Sequence, residues 1–271
     1  MASRAHNKGT VRQPAVAGMF YPGVPAALRR TTGAFLANAS QAPVASPGAI
    51  IAPHAGYIYS GPVAAESFAA VRALAGAVRR VLVIGPTHYV SFRGIAAPSA
   101  TAFSTPLGEM PVAEEAVEGL AGLPQIQIDD APHAPEHALE VELPFLQTIF
   151  GSVPIIPLVV GRASGEDVAE VLAQQWDEDT LLVVSSDLSH YHDYATAKRI
   201  DAETAAAIER LDERSVGADG ACGYLPIRGL LIEAKRRGLF AHRLDLRNSG
   251  DTAGDRRSVV GYGAWVFGGH A

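Results

Sequence analysis

The feature that most constrains the fold is a repeated unit in which a short aliphatic run ends in proline and then presents a histidine. One copy is Ala49-Ile-Ile-Ala-Pro followed by His54, and the other is Val81-Leu-Val-Ile-Gly-Pro-Thr followed by His88. A short apolar run bounded by Gly or Pro predicts a buried strand that ends in a loop. In an open α/β sheet, ligand-binding groups lie beyond the carboxyl ends of the strands. Adjacent strands of this kind would bring both histidines into one cleft.

The segment between the two runs determines how they are oriented. Residues 63–75 are rich in Ala, Phe and Leu and predict a helix, so that strand, loop, helix and strand form a βαβ unit. This crossover makes the strands parallel and brings His54 and His88 to the same edge of the sheet. Two converging imidazoles indicate a metal site, since histidine is the commonest metal ligand. The alternative for either histidine alone is a hydrogen-bonded structural residue.

The rest of the chain predicts an α/β fold, in which one domain has a central, largely parallel or mixed sheet flanked by helices. Residues 1–13 are polar and are expected to form a flexible N-terminus, which leaves residues 14–271 for the domain. Further strands are predicted over residues 94–97, 125–128, 155–160, 180–184, 244–246 and 259–267. Helices are predicted over residues 25–38, 113–120, 138–146, 164–175, 200–214 and 227–237.

A third strand end carries a carboxylate together with a histidine. The run Thr180-Leu-Leu-Val-Val is followed by Ser-Ser-Asp187-Leu-Ser-His190. Imidazole titrates near neutral pH, and an adjacent carboxylate can hold its tautomer, so this pair suits acid/base catalysis. We therefore predict catalytic roles for Asp187 and His190. The alternative for Asp187 is a helix cap, which does not explain His190.

Two further positions carry weaker signals. His137 and Glu140 are three residues apart at the start of a predicted helix and can share one helix face. On spacing alone a solvated first turn is the favoured interpretation, because acidic residues suit a helix N-terminus. Cys222 is flanked by small residues and is interpreted as a buried small hydrophobe, with a place in the cleft as the alternative.

Charge and composition exclude several classes of protein. The net charge of -6, without a basic run interleaved with aromatic residues, argues against nucleic-acid binding. A single cysteine excludes an intramolecular disulfide and a cysteine-cluster zinc site. No run approaches the roughly 18 consecutive apolar residues of a membrane span, and the charged first residues lack the apolar core of a signal peptide. We expect a cytoplasmic protein without membrane or nucleic-acid partners.

Five segments, spread over nearly the whole chain, match the signature of one known family in the same order. They contain His54, His88, His137, His190 and Asp251, and they read Ala-Pro-His-Ala-Gly-Tyr, Gly-Pro-Thr-His, Glu-His-Ala-Leu-Glu, Ser-Ser-Asp-Leu-Ser-His and Asn-Ser-Gly-Asp-Thr-Ala-Gly-Asp. The chain thereby resembles the Memo family, known in prokaryotes as AmmeMemoRadiSam system protein B. That family is similar in fold to the class III extradiol dioxygenases, which are non-haem iron(II) enzymes, so the resemblance implies their fold here.

The resemblance implies that His54 and His88 are metal ligands. In animal relatives a third ligand is a cysteine of the C-terminal loop, and that position is aligned here with Thr252. Because a hydroxyl is a poor ligand, we predict that Asp251 completes a set of two histidines and one carboxylate, which suits Fe(II). Zinc and copper are the alternative metals, and a weakly metallated site is the alternative to ligation by Asp251.

The resemblance also implies that Asp187 and His190 line the metal pocket, and we assign His137, Glu140 and Tyr57 to substrate binding. The leading hypothesis is a non-haem iron-dependent redox enzyme of dioxygenase-like character. The alternatives are a non-catalytic adaptor, since animal relatives bind phosphorylated receptor peptides, and a zinc-dependent hydrolase. The ligand would be a small molecule or a peptide, and the family name implies partners in a radical-SAM pathway.

Overall fold

The elements of the fold come from a computed structural model that describes residues 9–40 and 44–269. The strands are β1 (Val11–Arg12), β2 (Ala45–Ala52), β3 (Arg80–Pro86), β4 (Ile95–Ala97), β5 (Ala102–Thr105), β6 (Gly108–Pro111), β7 (Ile126–Ile128), β8 (Ile155–Val160), β9 (Thr180–Ser185), β10 (His190–His192), β11 (Phe240–Asn248) and β12 (Val259–Gly269). The helices are α1 (Pro25–Asn38), α2 (Tyr57–Ala70), α3 (Glu114–Leu120), α4 (Leu143–Phe150), α5 (Gly165–Gln175), α6 (Tyr194–Glu209) and α7 (Tyr224–Arg236). Short 3₁₀ turns cover Arg72–Leu74, Glu140–Glu142, Glu213–Ser215 and Ser249–Asp251.

The centre of the described chain is a mixed sheet with the strand order β10-β12-β2-β9-β3-β8-β4-β7, and β11 also pairs with β12. The central pairs β2 with β9, β9 with β3 and β3 with β8 are parallel. Strand β12 runs antiparallel to β2, β10 and β11. Every residue of β8 and β9 is buried, as expected for parallel strands that are covered on both faces. The predicted α/β class is therefore confirmed.

The order of the strands differs from the sequence-based expectation at the point that matters most for the cleft. The strands that carry His54 and His88 are not neighbours, because β9 lies between β2 and β3 and pairs with both. The crossover from β2 to β3 therefore skips one position, which a later strand fills. The loop that follows β9 consequently emerges between the two loops that carry the histidines.

The helices pack on the sheet and on one another through small residues. Helix α7 contacts β3 and β9, and it packs closely against α5. A Cβ atom at Gly229 of α7 would lie 2.2 Å from the Cγ1 atom of Val168 on α5, so this close approach requires glycine. Within residues 9–40 and 44–269, none of the helices combines the length and the apolar composition needed to span a membrane.

Several predicted helix boundaries differ from the structure. Helix α6 starts at Tyr194, before the predicted residue 200, because the carboxylate of Asp193 caps it by accepting backbone N–H bonds. Helix α2 starts at Tyr57 and tolerates an internal proline. The helix predicted over residues 138–146 is instead a 3₁₀ turn followed by α4, with Pro144 in the first turn, where a missing N–H costs nothing.

Part of the N-terminal segment that was expected to be flexible is built into the fold. Strand β1 pairs with β5 in a second sheet of order β1-β5-β6. The Arg12 guanidinium forms an ion pair with Glu140 and donates to the carbonyl oxygens of His133 and Glu136, at 3.1 and 2.5 Å. Residues 1–8 of the expected flexible segment lie outside the described residues.

Candidate metal centre

A cavity of about 960 Å³ lies beyond the carboxyl ends of β2, β3 and β9. Its lining includes side chains that can bind a metal ion or transfer a proton, namely those of His54, His88, His137, Asp187, His190 and Cys222. The first two follow β2 and β3, Asp187 and His190 follow β9, and Cys222 precedes α7. The cavity is thus at the position where open α/β sheets bind ligands.

Three of these side chains form a group that could hold a metal ion. The ligand atoms of His54, His88 and Cys222 all lie within 4.8 Å of one another. The ring centroids of the two histidines are 5.2 Å apart, and the Cys222 Sγ atom lies 3.4 Å from Nε2 of His54. The structure therefore brings the two histidines into one cleft, as the sequence led us to expect, and adds the thiol.

The orientation of His54 is set by one hydrogen bond from its ring and one from its backbone. Its Nδ1 atom lies 2.7 Å from Oγ of Ser185, and its backbone N–H donates to the Asp187 carboxylate at 2.8 Å. The residue is 1% exposed. Burial lowers the pKa of His54 well below its ordinary value, and the neighbouring histidines lower it further. The imidazole is therefore neutral, which is the form that binds metals.

The orientation of His88 is set by Glu136. One carboxylate oxygen lies 2.8 Å from Nδ1 of His88, and the other accepts the backbone N–H of His88 at 2.6 Å. Burial favours the neutral acid, but hydrogen bonds from His88 and from the Ala138 amide outweigh it, so the pKa of Glu136 lies below its ordinary value. An ionised Glu136 can only accept a hydrogen bond, so Nδ1 of His88 carries the proton and donates it. Nε2 of His88 is then available to a metal ion.

Cys222 is a wall residue of the cavity, which corrects its interpretation as a purely structural hydrophobe. Its backbone N–H donates to the Asp187 carbonyl at 3.2 Å. The next residue, Gly223, donates to Oγ of Ser186 at 2.9 Å, and a Cβ atom there would lie 2.6 Å from Cβ of Ser186. Glycine at this position therefore lets the turn approach the β9 loop. Burial, together with the charge of Asp187, raises the pKa of the Cys222 thiol to about 12.

The prediction that Asp251 completes the metal site is corrected by this geometry. Among the described residues, Asp251 belongs to neither group of candidate ligand atoms. Its Oδ1 atom accepts the Tyr194 hydroxyl at 2.6 Å, and its Oδ2 atom accepts the Asn248 backbone N–H at 3.2 Å in a capping box. The hydroxyl of Thr252 donates to the Ser249 carbonyl at 3.2 Å. The C-terminal loop uses these groups to fold itself, and the third candidate ligand atom in the group with His54 and His88 is that of Cys222.

Asp187 and His190 line the same cavity as the candidate ligands. Burial raises the pKa of Asp187 to about 7, although N–H groups of His54 and Ala55 and the charge of His88 oppose this shift. Nδ1 of His190 lies 2.8 Å from the Leu188 carbonyl oxygen. That nitrogen must donate, so Nε2 of His190 is left with a free lone pair. Burial lowers the pKa of His190, which keeps its imidazole neutral.

Of the three residues assigned to substrate binding, only His137 lines this cavity. Its ring centroid lies 4.6 Å from that of His88 and 4.8 Å from that of Phe20. Burial lowers the pKa of His137 to about 4, although the charge of Glu136 opposes this shift. The Tyr89 hydroxyl lies 3.2 Å from Nδ1 of His137, so Nε2 is the nitrogen left for a hydrogen bond with a ligand.

Glu140 and Tyr57 serve the fold instead, which corrects their assignment to substrate binding. The carboxylate of Glu140 pairs with Arg12 and accepts the backbone N–H groups of Ala15 and Val16 at 2.7 and 3.0 Å and the Tyr21 hydroxyl at 2.6 Å. The hydroxyl of Tyr57 donates to the Val141 carbonyl at 2.8 Å. Both residues are buried, and neither lines the cavity.

The mouth of the cavity is lined by exposed apolar side chains. These are Met19, Ile58, Tyr59, Tyr89 and Tyr191. Tyr191 is 79% exposed and has a backbone φ of 62°, a left-handed conformation that is unusual for an aromatic residue. Large apolar side chains gathered around a polar cavity are typical of a ligand-binding site.

Two supporting residues, Glu136 and Ser185, were missed by sequence reasoning. Both lie inside the motifs already noted, since Glu136 directly precedes His137 and Ser185 ends the third strand run. Their role depends on contacts with His88 and His54, which are 48 and 131 residues distant in sequence. Metal-binding histidines are generally oriented by carboxylate or hydroxyl partners, and this is the one signal that could have indicated Glu136 and Ser185.

The donor set fits a transition-metal ion. Two imidazoles and one thiol are nitrogen and sulfur donors of the kind that bind zinc, iron or copper. A second group of candidate ligands consists of His88, Glu136 and His137. Because Glu136 already accepts hydrogen bonds from His88 and from the amides of His137 and Ala138, that group is better explained as support for the first.

Comparison with known proteins shows matches along nearly the whole chain. The family described as Memo-like protein matches residues 12–266. A MEMO1 family protein of Sulfolobus acidocaldarius is 36% identical over 287 residues, which cover 95% of this chain and 99% of the relative. A MEMO1 family protein of Methanopyrus kandleri is 34% identical over 281 residues, with 94% and 98% covered. A third, from Thermotoga petrophila, is 36% identical, with 93% and 97% covered.

A solved structure is similar in fold. The crystal structure of an uncharacterized protein from Escherichia coli K12 matches with a TM-score of 0.50 and 14% sequence identity, covering 82% of this chain and 100% of that chain. At this identity the likeness concerns the fold alone. The family assignment is based instead on the match to residues 12–266 and on relatives that are 34% and 36% identical over nearly their full lengths. The chain belongs to the Memo family.

Proposed function

We propose that this Memo-family chain is a metal-dependent enzyme of redox character whose ion is bound by His54, His88 and Cys222. The observation that carries the proposal is the convergence of three ligand atoms within 4.8 Å in the wall of a large cavity. Fe(II) is the proposed metal, as the resemblance to class III extradiol dioxygenases implies. Zinc and copper are the alternatives, because imidazole and thiolate bind both. When bound, the ion would supply Lewis acidity and, if redox-active, electron transfer.

The proton transfers of the proposed reaction are assigned to Asp187 and His190. Both line the cavity that contains the candidate ligands. His190 uses Nδ1 on the Leu188 carbonyl, so its Nε2 atom is available to accept a proton from a ligand. Asp187 is fixed by the backbone N–H of His54. A proton acceptor and a carboxyl group held in one water-accessible cavity are the elements of general acid/base catalysis.

The ligand of the pocket is proposed to be a small molecule or the side chain of a peptide. A cavity of about 960 Å³ has room for a molecule of several rings or for a short peptide segment. The exposed apolar residues at its mouth, including Tyr89 and Tyr191, would contact the apolar part of the ligand. His137 would form a hydrogen bond with its polar part. Partners in a radical-SAM pathway, implied by the family name, belong to the same proposal.

Metal analysis tests this function directly. Protein purified without oxygen should retain about one transition-metal ion per chain, or bind one Fe(II) on titration. The variants H54A, H88A and C222S should each weaken binding at least about tenfold. H242A is the matched histidine control, because His242 lies on β11 and its Nε2 atom contacts the Gly269 carbonyl. D251N should also bind normally. Wild-type protein that binds no ion, or equal losses in the controls, would disprove the site.

The reaction class requires a second measurement. Oxygen uptake by the Fe(II)-loaded protein with a panel of catechols tests dioxygenase-like chemistry. We expect uptake that depends on His190 and is lost in H190A while the iron content is unchanged. Absence of uptake in protein that holds iron would refute the dioxygenase-like part of the proposal and leave the metal site intact.

A zinc-dependent hydrolase is the second candidate, favoured by the thiol at the third position. Sets of cysteine and histidine with an open fourth position are typical of catalytic zinc. Preferential retention of zinc, together with hydrolysis of ester or amide substrates, would support this candidate.

A non-catalytic binding protein is the third candidate, favoured by the apolar cavity mouth. A binding protein of this kind should bind its ligand in the absence of metal, and it should still do so when Cys222 is replaced.

A further inference from the structure

A chain of three buried groups lies behind the candidate ligand His54. Nδ1 of His54 is 2.7 Å from Oγ of Ser185. The same Oγ atom is 2.7 Å from the Ala138 carbonyl oxygen and 2.8 Å from Oε1 of Glu142. One hydroxyl therefore has three hydrogen-bond partners. His54 lies in the loop after β2, Ala138 precedes the 3₁₀ turn Glu140–Glu142, and Glu142 is the last residue of that turn and the N-cap of α4.

The number of protons in this chain determines its direction. A serine hydroxyl carries one proton to donate and can accept two hydrogen bonds. A carbonyl oxygen can only accept, so the hydroxyl proton of Ser185 is used on Ala138. The Ser185 hydroxyl also has the geometry to donate to Glu142, but its single proton cannot serve two oxygens, and the Ala138 carbonyl has no proton to give. Nδ1 of His54 and the Glu142 carboxyl group, at 2.7 and 2.8 Å, therefore donate to Oγ. His54 consequently carries its proton on Nδ1, and Glu142 carries a proton on its carboxyl group.

The surroundings of Glu142 agree with a neutral acid. The residue is fully buried, and its Oε2 atom has no hydrogen-bond partner among the described residues. An ionised carboxylate in that setting would be costly, because no described cation pairs with it. Burial raises the pKa of Glu142 well above its ordinary value, and the charge of Asp187 adds to this shift. A hydrogen bond donated by Ser185 would lower the pKa, but the Ser185 proton is used on the Ala138 carbonyl.

We propose that Ser185, backed by a protonated Glu142, is the positioning residue that keeps the proton of His54 on Nδ1 and so presents Nε2 to the metal ion. This inference rests on the proposed metal site. It makes the two histidine ligands electronically unequal. His88 is supported by the carboxylate of Glu136, whereas His54 is supported by a neutral hydroxyl and a neutral acid.

The inequality has a chemical consequence. A carboxylate partner makes an imidazole a stronger donor to its metal, and a neutral partner does not. Keeping Glu142 neutral therefore limits the negative charge around an ion that already has a thiolate ligand and Glu136 nearby. The proposed role of the chain is to fix the geometry of His54 without adding charge to the site.

The tautomer of His54 can be read in metal-free protein, so the test does not require a working metal site. Long-range ¹H–¹⁵N NMR spectra of the histidine rings should identify His54 as the Nδ1–H tautomer. S185A should shift His54 towards the Nε2–H tautomer, because Nδ1 loses its acceptor. E142Q should leave the tautomer unchanged, since the amide group of Gln can still donate to Ser185. An Nε2–H tautomer in the wild type would overturn the proposal, as would an unchanged tautomer in S185A.

The protonation of Glu142 is tested separately in the wild-type protein. At about pH 9 the carboxyl groups of Asp187 and Asp201, whose pKa values are raised to about 7 and about 6 by burial, are ionised. Infrared spectra should retain one carbonyl-stretch band of a protonated carboxyl group under these conditions, and E142Q should remove it. A spectrum without this band would show that Glu142 is ionised and would overturn the proposal.

Metal affinity connects the chain to the site. S185A should weaken Zn(II) or Co(II) binding by about 10- to 100-fold, the range for loss of a supporting group, whereas E142Q should change it by less than about threefold. Normal affinity in S185A contradicts the proposal. If no variant and no wild-type protein binds metal but the NMR and infrared results hold, the proposed function fails and the hydrogen-bond chain stands.

Discussion

Acidification should destabilise the folded chain through His133, a buried histidine outside the metal cavity. His133 is 2% exposed, and its Nε2 atom donates to the Ala96 carbonyl at 3.1 Å. Its ring lies against Phe103, with centroids 5.7 Å apart. Burial lowers the pKa of His133 to about 4, although the hydrogen bond to Ala96 and the charge of Asp130 oppose this shift. The folded chain therefore keeps this ring neutral at a pH where the unfolded chain protonates it.

The size and sign of the effect follow from linkage. In the unfolded chain His133 has its ordinary pKa of 6.5. Between about pH 4 and 6.5 the unfolded state binds a proton that the folded state does not, so stability rises with pH in this window. A pKa difference of about 2.5 corresponds to about 3 kcal/mol. This contribution is fully present above pH 6.5 and is lost as the pH falls towards about 4.

Urea unfolding of the wild type and H133Q at a series of pH values measures this contribution. The amide group of Gln can still donate to the Ala96 carbonyl but does not titrate. Between pH 6.5 and 4, the free energy of unfolding of the wild type should fall by about 3 kcal/mol more than that of H133Q. His54 and His137 titrate in both proteins and cancel in the comparison. Parallel curves over this window would refute the reasoning.

Three further predictions follow from buried charges. D201N should raise the free energy of unfolding by up to about 3 kcal/mol above pH 6 and have no effect below about pH 4. The reason is that burial raises the pKa of Asp201 to about 6, so the native carboxylate is penalised above that pH. A gain that is independent of pH in urea titrations would contradict this. E140Q leaves the buried Arg12 guanidinium unpaired and should cost about 3–5 kcal/mol in urea unfolding, so that a loss below about 1 kcal/mol would argue against the ion pair. Binding of Zn(II) at neutral pH should release about one proton, because burial raises the pKa of the Cys222 thiol to about 12. Calorimetry in buffers of different ionisation enthalpy measures that number, and a value near zero would exclude Cys222 as a thiolate ligand.

Local patterns in the sequence were sufficient for the strand ends and for the residues that follow them directly. The aliphatic runs before His54 and His88 are strands β2 and β3, and the run before Asp187 is β9. Parallel strands bring their carboxyl ends to one edge, whatever their order in the sheet. His54 and His88 could therefore be assigned to one cleft from the pattern, and the family resemblance implied that Asp187 and His190 line it too. All four residues line the cavity.

Residues in glycine-rich turns were beyond the reach of such patterns. Asp251 and Cys222 both lie in such turns, and the family resemblance, together with ligand chemistry, favoured the carboxylate. In the fold, the Asp251 carboxylate closes its own capping box. The turn that carries Cys222 packs on Ser186, which places the thiol 3.4 Å from His54 across 168 residues of chain.

The support of the site was likewise decided by tertiary structure alone. Glu140 shares a motif with His137, yet its carboxylate is buried against Arg12 because the N-terminal strand crosses at that point. Ser185 lies beside His54 because β9 pairs with β2, in a register that places Ala52 opposite Ser185. Which residues end a buried strand could be predicted from the amino-acid sequence, because that depends on neighbours along the chain. Which side chains then meet depends on the order of strands and on the packing of turns, and these arise from contacts between residues far apart in the chain.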